Sequence, residues 1–215
     1  MELKLYHYVH CPFCIRVRMA LGYFKLPYES TVLPYDDEIT PVKLTGAKML
    51  PIMEIKGKAH NESLDIIEHL DQKNIWSISN YKKGQAYNEL SHLLNRLGAN
   101  VHNLAMPYWI YTPEFDENSR LYFQKKKEEK RGPFKNLVKK REQFTQDILK
   151  DLNELSGELK PFYHSETFGL NDILLASHLW GLYIVPEFQF PEKIHHYLQQ
   201  VKNICHFDYH HDYWK

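Results

Sequence analysis

The stretch 6-YHYVHCPFCIRVRMAL-21 decides how this chain is read. Its opening residues continue an apolar alternation begun at Leu3 and Leu5, the period of a strand. From Cys14 to Phe24 the spacing becomes helical, with Ile15, Met19, Gly22 and Tyr23 on one face. Tyr28 to Leu33 is β-like again, so the segment reads as a β-α-β unit. Cys11 and Cys14 stand in its first turn, separated by Pro12 and Phe13. Cys-x-x-Cys beside such a unit points to thiol redox chemistry.

The mechanics agree with that chemistry. If Pro12, Phe13 and Cys14 open the helix, Cys11 lies at its N-terminus, where free backbone N–H groups and the helix dipole favour a thiolate. A lower thiol pKa raises the reactive fraction at neutral pH. His10, Arg16 and Arg18 each add positive potential in this reading. Cys14, one turn on, is placed to attack a mixed disulfide at Cys11. Pro12 restricts the turn and removes a donor, which bears on the redox potential.

Two other uses of the pair stand beside this one. Zinc needs two further ligands, and the conceivable set is Cys205 with His206, His210 and His211. That cluster lacks a second Cys-x-x-Cys spacing, and no metal is expected. Plain packing of two inert cysteines is the remaining alternative. Lone Cys205 is read as a packing residue.

The chain has 215 residues, enough for one large or two small domains. Its 27 basic and 27 acidic side chains cancel, which argues against a nucleic-acid binder relying on bulk charge. No apolar run is long enough to cross a bilayer, and MELKLYHYVH lacks the pattern of a signal peptide, so no membrane partner and a cytoplasmic location are expected. Three cysteines are too few, and odd in number, for a disulfide framework.

The first part continues with a short helix at 40–47, a strand through Ile52, Met53 and Ile55, a turn at Gly57 to a strand near Ala59, and a helix from Ser63 to Leu70. After Lys82 the alternation gives way to helical periodicity at roughly 85–105, 113–130, 134–155, 171–184 and 191–203. The expected division is an α/β domain over 1–72, a linker over 73–81, and an all-helical domain over 82–215. KKKEEKR (125–131) reads as a solvated helix face, and the aromatic MPYWIYTPEF (106–115) as core that could also line a groove.

CPFC after the first strand, Leu50-Pro51 before the third and Glu62-Ser63 opening the next helix resemble the glutaredoxin and glutathione-transferase version of the thioredoxin fold. HCPFC with its arginine-rich helix start, NESLDIIEHLD (61–71) and about 140 further helical residues make the chain similar to the two-domain glutaredoxins of the glutaredoxin 2 type. The resemblance covers nearly the whole sequence. It implies a thioredoxin-like α/β domain followed by an all-α domain in a glutathione-transferase-like architecture.

It also implies a function: glutathione-dependent thiol-disulfide exchange, with Cys11 and Cys14 catalytic and glutathione as co-substrate. The partners implied are disulfide-containing or glutathionylated proteins, and a monomer is expected. In the family the Leu50-Pro51 bond is cis and presents Leu50 to the cysteinyl part of glutathione. Glu62 and Ser63 sit where the γ-glutamyl end binds, although a helix cap with an acidic flank would use the same residues. Phe13 stands where tyrosine is frequent, and Arg16 is a candidate for a glutathione carboxylate. The rivals on this scaffold are a glutathione transferase, a cysteine-type dehydroascorbate reductase and a non-catalytic binding module. FGLNDILLASHLW (168–180) resembles a buried helix that usually begins Ser/Thr-x-x-Asp; Gly169 stands at that first position, which leaves the reciprocal side-chain cap in question.

Overall fold

The computed structural model describes residues 2–209. β1 (Leu3–His7) leads through the cysteine turn into α1 (Pro12–Tyr23) and then β2 (Glu29–Val32), α2 (Ile39–Thr45), β3 (Ile52–Ile55), β4 (Lys58–His60) and α3 (Ser63–Leu70). The sheet order is β2-β1-β3-β4, with β2 parallel to β1, and β3 and β4 each antiparallel to its inner neighbour. Leu5 pairs with Ser30 on one side and Met53 on the other, so β1 is central. Its alternation buries Leu3, Leu5 and His7, as period-two side chains on one covered face must be.

Helices follow: α4 (Ile78–Tyr81), α5 (Gln85–Trp109), α6 (Glu117–Arg131), α7 (Phe134–Lys139) and α8 (Arg141–Glu158). Then come β5 (Leu159–Lys160), β6 (Phe162–Tyr163), α9 (Leu170–Leu179), a 3₁₀ turn (Trp180–Ile184) and α10 (Glu192–Ile204). The all-helical expectation therefore needs a correction. Leu159 pairs with Tyr163 in a two-strand hairpin, too short to leave a periodic signal. The continuous pattern at 134–155 is two helices meeting at Lys140, and 171–184 ends in a 3₁₀ turn. A one-turn helix also occupies 78–81, in the stretch read as linker.

A single apolar core runs from Leu5, Ile15 and Met19 to Leu94, Ile173 and Trp180, joining the sheet layer to the helices. The approach is closest at Gly22, where a Cβ would lie 1.8 Å from the carbonyl oxygen of Cys205. Cys205 itself is fully buried, in keeping with its reading as packing. Of its histidine neighbours, His210 and His211 lie outside the described residues. Among the described residues no group of three or more His, Cys, Asp or Glu side chains is disposed to hold a metal ion.

At α9 the glycine N-cap is served from the other side. Asp172 Oδ2 accepts from Gly169 N–H at 2.8 Å. The return bond, which a serine hydroxyl would accept, goes from Asp172 N–H to the Gly169 carbonyl at 3.2 Å. Half of the reciprocal cap survives without a hydroxyl.

Candidate active site

Cys11 is the N-cap of α1, extended at φ −82° and ψ 119°, and Pro12 takes the first helical position, where its missing N–H is no loss. The helix closes on this cap through Ile15 N–H to the Cys11 carbonyl at 3.0 Å. No side chain caps the turn. Its free N–H groups, those of Phe13 and Cys14, are directed at the Cys11 sulfur.

The two thiols are driven apart. A hydrogen bond from the Cys14 thiol lowers Cys11 most; burial opposes it, and the charge of His10 and the two backbone N–H groups add to the lowering, bringing Cys11 down to about 6. Cys14 is fully buried, and burial, then its bond and proximity to Cys11, push its thiol well above the usual value. The negative charge therefore belongs to Cys11 and the proton to Cys14. Both cysteines are reduced in this structure, and Cys11 is the one that reaches solvent. Sulfur sealed from solvent, or left at an ordinary thiol pKa, would have suited the non-catalytic reading instead.

Behind Cys11 two residues far apart in the chain, His10 and Glu114, meet. Glu114, in the loop between α5 and α6, accepts from His10 N–H at 3.0 Å and meets His10 Nδ1 at 2.5 Å. Both residues are buried, at 7% and 2% exposure. The imidazole is enclosed by the rings of Tyr8, Tyr35, Trp109, Phe115 and Phe123, with centroids 5.2 to 5.6 Å away. MPYWIYTPEF is thus largely core, and its one acid reaches the residue before Cys11. A lone carboxylate in an aromatic run was the available signal.

The remaining predicted residues cluster on the other side of the thiol. Phe13 is exposed, and the Arg16 guanidinium stacks over its ring at 4.6 Å. Arg16 Nη1 reaches Ser63 Oγ at 3.4 Å, while its Nε is buried without a partner. Burial lowers this guanidinium to about 10. Ser63 opens α3 and is buried, whereas Glu62 is exposed at φ +67° with no side-chain cap bond. The carboxylate of Glu62 is therefore not a helix cap.

The Leu50–Pro51 peptide is cis, and Leu50 packs in a small cluster with Cys14, Tyr8, Leu33 and Ile52. Arg18 departs from the group: two residues beyond Arg16 it faces the opposite side of α1, with its guanidinium 4.9 Å from the centre of the Phe207 ring. Lys127 of α6, which the sequence reading did not single out, also interacts by its charge with Cys11. That lysine also corrects the reading of KKKEEKR as plain solvated surface: Lys127 lies 5.5 Å over the Phe123 ring, and Arg131 Nη1 is 2.6 Å from Asn103 Oδ1.

Residues 5–74 match the family model of the glutathione S-transferase N-terminal domain, and residues 89–209 match that of the glutaredoxin 2 C-terminal domain. Glutaredoxin 2 of Escherichia coli strain K12 is 30% identical over 201 residues, covering 91% of this chain and 92% of its own. The chain belongs to the glutaredoxin 2 family. The crystal structure of glutaredoxin 2 from Salmonella typhimurium in complex with glutathione superposes with a TM-score of 0.85, at 28% identity and 96% coverage of both chains. A glutathione S-transferase of Ceriporiopsis subvermispora, at TM-score 0.77 but 13% identity, shares the fold. The thioredoxin-like sheet followed by a mostly helical part is thus the architecture of glutaredoxin 2 and of the transferases alike.

Proposed function

We propose that this protein is a glutathione-dependent disulfide oxidoreductase that uses Cys11 as nucleophile and Cys14 as resolving thiol. One observation carries the reading: Cys11, part-exposed at a helix N-terminus, is brought to about 6 by the neighbouring Cys14 thiol, the charge of His10 and the backbone N–H groups of Cys14 and Phe13. A transferase that only activates the glutathione sulfur has no use for a second, buried, protonated thiol.

The Cys11 thiolate attacks one sulfur of a disulfide, protein–S–S–protein or protein–S–S–glutathione. A Cys11 mixed disulfide forms as the substrate S–S bond breaks, and the departing sulfur leaves as a thiolate that takes a proton from water. In the dithiol route Cys14, giving up its proton, attacks Cys11 and expels the second substrate thiol, which leaves an internal disulfide. In the monothiol route a glutathione thiolate attacks glutathionylated Cys11, releasing oxidised glutathione and the reduced enzyme. Two molecules of glutathione reduce the internal disulfide of the dithiol route and leave as oxidised glutathione; the monothiol route consumes one, the other half of its oxidised glutathione coming from the glutathionylated substrate.

The binding roles follow the chemistry of each group. Leu50, before the cis Pro51, offers its backbone to the cysteinyl portion of glutathione, a pairing that orients a peptide by its main chain. Ser63, at the start of α3 with Arg16 behind it, suits the α-carboxylate of the γ-glutamyl end, and exposed Glu62 suits its amino group. Phe13 forms the wall beside the sulfur. We infer protein disulfides or glutathionylated proteins as substrates, a monomeric enzyme and a cytoplasmic setting; no helix among the described residues is long and apolar enough to cross a membrane.

The test is reduction of a small glutathione mixed disulfide coupled to glutathione recycling. Cys11→Ser is expected to abolish turnover and Cys14→Ser to retain much of it. Full activity in the Cys11 variant removes the nucleophile assignment.

A further inference from the structure

The buried His10–Glu114 pair is separate from the residues that would touch glutathione, and its position invites a specific role. Glu114 belongs to the helical part, 103 residues beyond Cys11, yet it holds both the backbone N–H and the ring of the residue next to the nucleophile. The same loop is pinned to the sheet side by Tyr35 N–H donating to the Glu114 carbonyl at 3.0 Å. One carboxylate oxygen, Oε2, is buried with no hydrogen-bond partner.

An unpaired carboxylate oxygen away from water is costly, and such a group persists where its charge is balanced. His10 is the residue in contact with it, its ring Nδ1 2.5 Å from Oε1. Burial raises the Glu114 carboxyl, but the bonds from His10 ring and backbone, and its charge, bring it below the ordinary carboxylate value. Glu114 is therefore ionised at neutral pH and faces His10, whose charge is among the influences that lower Cys11.

We propose that Glu114 is a positioning residue for disulfide exchange: acting through His10, it keeps a positive charge fixed behind the Cys11 sulfur, so that the helical part of the chain controls the nucleophile. This rests on Cys11 being the nucleophile, as proposed above.

The other groups facing this pair leave the assignment to Glu114. Tyr8 and Tyr35 are held neutral by burial, which raises both phenols. His102 on α5 is brought by burial to about 3 and carries no charge at neutral pH. Lys127 on α6 and Arg16 on α1 interact with Cys11 directly and do not depend on Glu114. Cys14 feels Glu114 as a minor raising influence, behind burial and Cys11.

The sign of the effect makes the proposal testable. Removing a nearby negative charge acts directly to lower a thiol pKa. Removing the carboxylate that favours a charge on His10 acts the other way, because the help of that charge to the thiolate is lost. Glu114→Gln keeps an oxygen acceptor for His10 and removes the charge, placing an amide donor where the unpartnered Oε2 stands.

The experiment is iodoacetamide alkylation of the reduced full-length protein against pH, with Cys11 modification followed by peptide mass spectrometry. Wild type, Glu114→Gln, His10→Gln and the double variant are compared, each checked for cooperative melting. The midpoint is expected to rise by about one pH unit in Glu114→Gln, a roughly tenfold loss of thiolate below the midpoint. His10→Gln is expected to give a similar rise, with nothing added in the double variant. A midpoint in Glu114→Gln that stays put or falls, or a further rise in the double variant, overturns the proposal. If Glu114→Gln does not fold, an unmoved midpoint in His10→Gln overturns it alone. A wild-type midpoint at the ordinary thiol value instead sinks the reading of Cys11 as an activated nucleophile.

Discussion

Arg16 and Ser63, 47 residues apart, meet with Nη1 and Oγ 3.4 Å from each other and both residues buried. A guanidinium so placed, with an unpartnered Nε and no carboxylate against it among its recorded partners, is a cation with spare donors. Supplying an anion is the chemistry that would satisfy it. Charge-assisted hydrogen bonds of this kind contribute about 1.5–3 kcal/mol. Arg16→Met, which keeps most of the packed stem, is therefore expected to raise KM for glutathione roughly 10- to 100-fold, with a smaller rise for Ser63→Ala. An unchanged KM in both variants removes them from the glutathione site.

The Cys14–Cys11 hydrogen bond is the largest influence on the Cys11 thiol, so its removal has a defined sign. In wild type the Cys11 alkylation rate is expected to climb through pH 6 and level off near neutrality. Cys14→Ala is expected to move that rise to higher pH, whereas Cys14→Ser, which still donates, moves it less. Identical profiles for alanine and serine would mean that the thiol donor does not matter.

The same shift is a statement about stability. Cys11 falls from its ordinary 9.0 to about 6 on folding, so between those values the unfolded chain binds the extra proton. Stability from this group is fully present above pH 9 and is lost as pH falls through about 6. Reduced wild type is expected to lose more of its Tm than Cys11→Ser over that interval. Parallel curves for the two proteins, measured by calorimetry under reductant, would contradict it.

The active-site turn was legible in the sequence because strand, N-cap and helix are local: Cys11, Pro12 and Cys14 announce themselves within four residues. Helix α3 was legible for the same reason, its Leu64, Ile67 and Leu70 repeating at helical spacing. What escaped is what the fold assembles from a distance. Glu114 lies in an aromatic run that reads as core, and nothing local ties it to His10. Arg18 and Arg16 read alike in sequence, yet their separation of two helical positions sends one to Phe207 and the other to Phe13. The β5–β6 hairpin is two residues per strand, below any period that could be seen.

Gly22 marks where α1 meets the end of the helical part. A Cβ there would stand 1.8 Å from the Cys205 carbonyl oxygen and 3.0 Å from its carbon, both backbone atoms. No rotamer change relieves a backbone clash, so either α1 or the segment after α10 must move. Overpacking of this sort costs about 1–3 kcal/mol. Gly22→Ala is expected to lower stability to urea by at least that amount, although alanine is the better helix former. A gain in stability would show that the segment yields freely.

Asp172 presents the strongest case for a buried polar centre outside the active site. Its carboxylate accepts from Tyr163 N–H at 2.9 Å, Gly169 N–H at 2.8 Å and Tyr197 O–H at 2.9 Å, tying β6, the start of α9 and α10 together. Burial nevertheless raises its pKa, and the three donors recover only part of the cost. The sign follows: an acid raised on folding adds stability while protonated and loses it as pH climbs from the unfolded value through the folded one. Asp172→Asn keeps the shape but turns one oxygen into a donor, which must face an N–H or the Tyr197 hydroxyl. That leaves a buried donor unsatisfied, for about 1–3 kcal/mol. The variant is expected to unfold at lower urea concentration at pH 7, and that gap is expected to widen as the pH is lowered and the wild-type carboxyl protonates. A gap that narrows on acidification would mean that Asp172 is held by its donors more strongly than burial opposes it.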